Sequence, residues 1–160
     1  MQKKVKMAIL WIIILIAVDI TTKVTAIFFL NSGPISVIPQ FFTLKLLYNT
    51  GAAFSLFENA RWFFVALTLP ILIIGWRYYL QHIAISQWFF IGGVFFFAGT
   101  IGNFLERLFL GRVTDFLSFT FGSYNFAVFN LADSFLSISI ILILYAVYLH
   151  EKGNGGIVHE

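Results

Sequence analysis

Four apolar stretches divide the chain, at 7–30, 62–80, 83–108 and 128–149. Each is near the roughly 20 residues a helix needs to cross a bilayer, so each is expected to be a transmembrane helix. Asp19 and Lys23 interrupt the first, and Asn31-Ser-Gly-Pro34 ends it. Arg77 and Gln81-His82 mark a short turn between the second and third. Pro70 is expected to kink the second helix rather than end it, because neighbouring groups in a membrane re-satisfy the freed carbonyl. The two longer connections have a different rhythm. Positions 41–48 alternate, with Phe42, Leu44, Leu46 and Tyr48 on one face and Thr43 and Lys45 on the other, which predicts a strand. Positions 35–38 suit a short partner strand. Positions 113–121 and 124–129 flank Gly122-Ser123, a two-residue hairpin turn with glycine first. In simple hairpin register Asp115 falls opposite Asn130, about one helical turn from Asp133. Positions 52–58 read as a short amphipathic helix in the interface, with Phe54 and Phe57 turned towards lipid.

Composition narrows the class. The chain is 60% hydrophobic and 11% charged, with 21 Phe and a mean hydropathy of +0.93. A soluble domain carries about 25% charged residues. The 17 charged side chains here cannot coat a globule, and disorder would need low hydrophobicity. The expected fold is mainly α: a polytopic membrane protein of four transmembrane helices with a small extracytoplasmic β-sheet or hairpin element. Residues 1–150 are expected to form a single domain, followed by a short mobile tail at 151–160. The net charge of +3 is scattered, so no nucleic-acid partner is expected. The absence of cysteine excludes thiolate catalysis and Cys-ligated zinc. His82, His150 and His159 show no ligand spacing, so neither a metal nor a cofactor is expected.

Lys3, Lys4 and Lys6 before an apolar run, with Val24-Thr25-Ala26 beyond it, resemble a cleavable signal peptide. Asp19 and Lys23 argue for an uncleaved first span instead. Spaced i, i+4, they set an ammonium within reach of a carboxylate on one helical face, a structural ion pair. Four spans put both termini on one side, and the N-terminal lysines with Lys152 assign that side to the cytoplasm. The connections 31–61 and 109–127 then emerge on the opposite face. Asp19, Lys23, Asn103, Glu106, Arg107, Asn130 and Asp133 all converge there. Ionisable groups inside spans are costly, which makes such a cluster a functional one by default.

The chain has three aspartates, and Asp115 and Asp133 are candidates for a shared site on that face. Two close carboxylates in a low-dielectric site tend to share one proton. One can then take a proton from water while the other hydrogen-bonds a scissile carbonyl, the aspartic-protease arrangement. The alternative is an exposed loop carboxylate at Asp115 and a helix-dipole charge at Asp133. Asn130 suits an N-cap for the helix carrying Asp133. Asn103 and Arg107, i and i+4, offer donors to a carboxylate or peptide carbonyl, with interfacial snorkelling the alternative for Arg107. Ala98 and Gly102 suggest close helix packing. Asn49-Thr-Gly51 reads as a tight turn or as backbone open to a substrate. A small transporter or channel would also hold ionisable groups in spans, but usually near the midplane. A Ser/Lys peptidase needs a serine beside Lys23 or Lys45, and a presenilin-like protease needs a GxGD block; the sequence supplies neither.

Five blocks then occur in order: Asp19-x-x-x-Lys23, Asn49-Thr-Gly-Ala-Ala-Phe-Ser55, Gly99-Thr-Ile-Gly-Asn-Phe-Leu-Glu-Arg107, Gly111-Arg-Val-Thr-Asp-Phe116 and Phe129-Asn-Leu-Ala-Asp-Ser134. Together they closely resemble the bacterial lipoprotein signal peptidases (signal peptidase II), over about residues 7–150. Glu106 stands where that family usually carries Asp, and Thr114 where an apolar residue is common. The resemblance implies a multi-pass aspartic endopeptidase of the bacterial plasma membrane, functional as a monomer among membrane lipid. It would cut the signal peptide from a diacylglyceryl-modified prolipoprotein just before the lipidated cysteine, at a site facing outward. It makes Asp115 and Asp133 the catalytic pair. Asn49, Gly51, Asn103, Arg107, Asn130 and Ala132, with Asp19 and Lys23, fall on motif positions that line or support the site.

Overall fold

The computed structural model describes residues 1–51 and 57–154. The expected helix over 52–58 lies almost wholly outside them, apart from Phe57 and Glu58, which belong to a turn. Four helices dominate: α1 (Gln2–Leu30), α2 (Arg61–His82), α3 (Gln87–Leu110) and α4 (Leu131–Asn154). All four are long and apolar enough to cross a membrane. The small sheet comprises β1 (Ile35–Ile38), β2 (Phe42–Asn49), β3 (Val113–Phe121) and β4 (Tyr124–Asn125), in the order β1-β2-β3-β4 and antiparallel throughout. α1 and α2 run past the sequence-derived limits, the turn expected at Gln81-His82 falls after α2, and α3 and α4 start later than expected, at Gln87 and Leu131, although each ends later. α1 starts five residues before the apolar run and takes in Lys3, Lys4 and Lys6. α4 carries through the first residues of the expected tail. α2 continues through Pro70.

α3 is the central helix and packs on each of the other three. Glycine lets it do so. A methyl at Gly92 would stand 2.8 Å from Ile143, and one at Gly93 would collide with the Tyr79 ring. Tyr79 is buried and donates its hydroxyl to Phe90 O at 2.9 Å, so the phenol is satisfied inside the bundle. Ser86 caps the start of α3, accepting the Phe89 N–H at 3.0 Å, as N-cap serines do. Gly111 ends it in the left-handed region at φ 70°, and its N–H reaches Arg107 O at 3.1 Å. That stop turns the chain into β3 within three residues.

The sheet covers the end of the bundle at which α1 and α3 finish and α4 begins. Its apolar residues Leu44, Leu46, Phe116 and Leu117 pack on Ala26 and Leu30 of α1. Gly122-Ser123 forms the expected turn, with Gly122 at φ 62° and Phe121 paired to Tyr124. The strand expected over 124–129 is shorter than the sequence suggests. Regular pairing stops at Asn125, and a single bridge joins Phe129 to Leu117. Thr120 pairs with Asn125, so simple register would set Leu117 opposite Val128. The observed bridge is one residue later, and Phe116 N and Leu117 N both donate to Phe129 O. The expected pairing of Asp115 opposite Asn130 is therefore corrected: a bulge slips the ladder before that point.

Candidate active site

β2 slips as well. Leu44 pairs with Leu117 but Leu47 with Asp115, so three residues of one strand span two of the other. Without the slip Asp115 would face Leu46, which belongs to the apolar side under α1. A one-residue shift exchanges the faces of a strand. Here it brings Asn49 to Asp115, and Asn49 Nδ2 donates to Asp115 Oδ2 at 3.2 Å. Asn130 Nδ2 donates to Asp115 Oδ1 at 2.7 Å. The proximity expected from simple register thus survives its failure, carried by the Asn130 side chain instead of the backbone ladder.

Asp133 lies in the first turn of α4. Asn130 caps that helix by accepting the Asp133 N–H at 3.0 Å, and Asp133 Oδ2 accepts the Asn130 N–H at 3.1 Å. This reciprocal capping box fixes where the carboxylate starts. Asp133 Oδ1 accepts from Asn103 Nδ2 at 2.8 Å. Each oxygen of both aspartates therefore has one donor, and a carboxylate oxygen has room for a second. Asp115 and Asp133 line one cavity of about 690 Å³, together with Asn49, Arg107, Val113, the 126–129 segment, Ser134, Leu136, Ser137 and Ile138. Burial first, and then the Asp133 charge, push the Asp115 carboxyl up from 3.8 to about 6, against the bonds from Asn49 and Asn130 and the pull of Lys23.

Behind the aspartates lies a buried charge cluster. Lys23 Nζ is 2.9 Å from Asp19 Oδ2, 3.0 Å from Glu106 Oε2 and 3.0 Å from Asn103 Oδ1. The ammonium thus donates to Asn103 Oδ1 and forms ion pairs with two carboxylates. Asp19 and Lys23 do form the expected ion pair. Asp19 also reaches further, for its Oδ1 accepts the Ala132 N–H at 3.0 Å. A carboxylate on α1 thereby helps cap α4 one residue before Asp133. Asn103 Oδ1 accepts from Asn130 Nδ2 at 3.1 Å as well, so Asn103 joins Lys23, Asn130 and Asp133.

Arg107 lines the cavity rather than snorkelling. Its Nη2 donates to Gly51 O at 3.1 Å, and its guanidinium lies 5.0 Å from the Phe64 ring centroid. Asn49 Oδ1 accepts the Gly51 N–H at 2.9 Å, the tight turn read from sequence. The Gly51 carbonyl is held by Arg107, so that part of the backbone is engaged rather than open. The serines of the cavity are not poised as nucleophiles: Ser134 Oγ donates to Asn130 O and Ser137 Oγ to Asp133 O. Among the described residues no cluster of His, Asp and Glu is arranged to hold a metal. Sequence reasoning missed the 126–129 wall and the α4 residues below Asp133. They are ordinary small and apolar side chains with no pattern of their own.

Residues 11–149 match the family model described as signal peptidase (SPase) II. A lipoprotein signal peptidase of Streptococcus agalactiae serotype Ia is 38% identical over 144 residues, 89% of this chain and 92% of that protein. One from Streptococcus pyogenes serotype M1 is 36% identical over 155 residues, covering 94% and 99%. Among solved structures, a bacterial membrane enzyme determined by the in meso method at 2.3 Å superposes with a TM-score of 0.82 at 28% identity, covering 97% of this chain and 94% of that one. A second, at 1.9 Å, gives 0.75 at 29% identity, covering 89% and 92%.

Proposed function

This chain belongs to the signal peptidase II family, a family of membrane peptidases, and from that premise we propose that it cleaves the signal peptide from diacylglyceryl-modified prolipoproteins by aspartic catalysis. The cut falls just before the lipidated cysteine. The observation that carries the reading is the placement of Asp115 and Asp133 on one cavity at the end of the bundle, each carboxylate oxygen held by an asparagine or backbone donor. The cavity serines spend their hydroxyls on helix carbonyls, which favours water over a side chain as the nucleophile.

Two different surroundings divide the work. Asp133 sits on the N-terminal turn of α4, where the helix dipole favours negative charge, and takes the proton from water. Asp115, with its raised proton affinity, holds the proton that polarises the scissile carbonyl. As the tetrahedral adduct collapses, the proton collected at Asp133 passes to the departing amine, and Asp115 recovers its own from the adduct hydroxyl. Arg107 lines the cavity and its Nε–H is buried with no hydrogen-bond partner among the described residues, which makes it a candidate donor to a substrate carbonyl. Leu136 and Ile138 extend the cavity along α4 into the hydrocarbon, giving an apolar signal segment a lateral route to the carboxylates. Both termini face the cytoplasm and the site faces outward, where the lipid anchor of such a precursor lies. The protein works as a monomer, with bilayer lipid around it.

The test is cleavage by the purified protein in liposomes, with mass spectrometry of the products. A diacylated precursor should be cut immediately before its modified cysteine, and the same precursor without lipid should stay intact. Equal cleavage of both, or a cut elsewhere, would remove the lipid-directed reading.

A further inference from the structure

The sequence sets Glu106 and Thr114 apart as departures from a family pattern; the fold puts them in one contact. Glu106 Oε2 accepts the Thr114 backbone N–H at 2.9 Å, and Oε1 accepts the Thr114 hydroxyl at 2.8 Å. The same Oε2 lies 3.0 Å from Lys23 Nζ. Thr114 is fully buried and Glu106 nearly so. Glu106 is on the last turns of α3, Gly111 reverses the chain, and Thr114 immediately precedes Asp115. The carboxylate thus reaches across the reversal and grips the peptide next to the aspartate.

We infer that Glu106 is a positioning residue for Asp115, acting in two separable ways. By reach it fixes the start of β3 through Thr114. By charge it offsets the Lys23 ammonium, which would otherwise draw protons away from Asp115. The groups acting on Asp115 are Asp133 from α4, Lys23 from α1, Arg107 from α3 and the neutral amides of Asn49 and Asn130, while Glu106 and Asp19 act on it through Lys23. Lys23 and Arg107 favour the anion and Asp133 opposes it, so neutralising Glu106 removes one of the two carboxylates that offset Lys23 and strengthens its pull on Asp115. The inference rests on Asp115 being catalytic.

Reach and charge come apart in variants of the full chain. Glu106→Gln keeps the length and loses the charge. Glu106→Asp keeps the charge but is one methylene too short to hold Thr114 and Lys23 together. Thr114→Val deletes the hydroxyl at constant shape, and Thr114→Ser restores it. Cleavage of a diacylated precursor would be followed against pH in liposomes, with the Asp115 carboxyl infrared band titrated separately without substrate. Glu106→Asp and Thr114→Val should lower kcat on the order of tenfold to a hundredfold, the scale of a misplaced catalytic group. Their Asp115 titration should stay where the wild type has it. Thr114→Ser should restore most of the rate. Glu106→Gln should move the titration to lower pH. An unmoved titration in Glu106→Gln, no rescue by serine, or rate losses that merely follow melting temperature would overturn the inference. Should the wild type not cut the precursor, the proposed substrate fails while the infrared titration still decides the role of Glu106.

Discussion

Asn130 Nδ2 lies 2.7 Å from Asp115 Oδ1, although the strand ladder does not pair the two residues. The same Asn130 caps the helix that carries Asp133. One side chain therefore sets the spacing between a strand carboxylate and a helix carboxylate. Its replacement should damage catalysis out of proportion to stability. Asn130→Ala loses the cap, worth about 1 kcal/mol, and should lower cleavage at least as far as about a hundredfold if it governs that spacing. Rates and thermal melting of the purified variant check this.

Either Asp115→Asn or Asp133→Asn should abolish cleavage while the protein still inserts and folds. Ser134→Ala and Ser137→Ala should keep cleavage within about tenfold of wild type, a cost of about 1.4 kcal/mol in the barrier. Their hydroxyls bond helix carbonyls, not a general base. Single-turnover rates on a lipidated precursor separate the two classes.

The Asp115 carboxyl is raised from 3.8 to about 6 in the folded protein. The native state thus binds this proton more tightly than the unfolded chain. Its contribution is most favourable below about pH 4 and is lost as pH rises towards 6, the sign linkage requires for a raised carboxyl. Melting temperature should carry a falling component over that window, and Asp115→Asn should remove it. Cleavage should decline above about pH 6 as the same proton leaves. Asp133→Asn removes a neighbouring negative charge and should move the Asp115 infrared titration to lower pH.

Lys23→Ala strands the buried Asp19 carboxylate and the partly buried Glu106 carboxylate, and breaking a buried pair costs about 3–5 kcal/mol. Asp19→Ala also frees the Ala132 N–H, whereas Asp19→Asn keeps an acceptor for it. Melting in detergent should fall furthest for Lys23→Ala and Asp19→Ala and less for Asp19→Asn. A methyl at Gly102 would stand 2.6 Å from Asp19 Oδ2, so Gly102→Ala should push the same carboxylate aside, at about 1–3 kcal/mol.

The proposed orientation is open to thiol labelling, because the chain has no cysteine of its own. Ser123 is exposed at the hairpin turn and Gln81 is exposed at the end of α2. Ser123→Cys should react with an impermeant reagent on intact cells, and Gln81→Cys only after lysis. Ser118 is buried in β3, so Ser118→Cys should stay protected in the folded protein on either side. The reverse pattern at Ser123 and Gln81 would invert the topology.

The four helices, the strand at 42–49 and the Gly122-Ser123 turn were legible because each is specified locally. A long apolar run can satisfy its backbone in a bilayer only as a helix. Alternation and a glycine-led dipeptide are equally short-range signals. Asn130 as a cap and Asp19 with Lys23 as a pair are legible for the same reason, since three or four residues on a helix return to the same face.

What tertiary structure alone decided is how those pieces meet. The bulges that set Asn49 and Asn130 on Asp115 depend on the sheet packing against α1, and nothing at 44–47 or 116–117 announces a slipped residue. Asp19 on the Ala132 N–H and Glu106 on Thr114 join elements distant in sequence or reversed by a single glycine. The cavity wall at 126–129 is built from unremarked side chains that matter only by position. A sequence pattern records which groups need partners. The register and the close approach at glycine decide which partners they get, because both follow from packing free energies summed over the whole bundle.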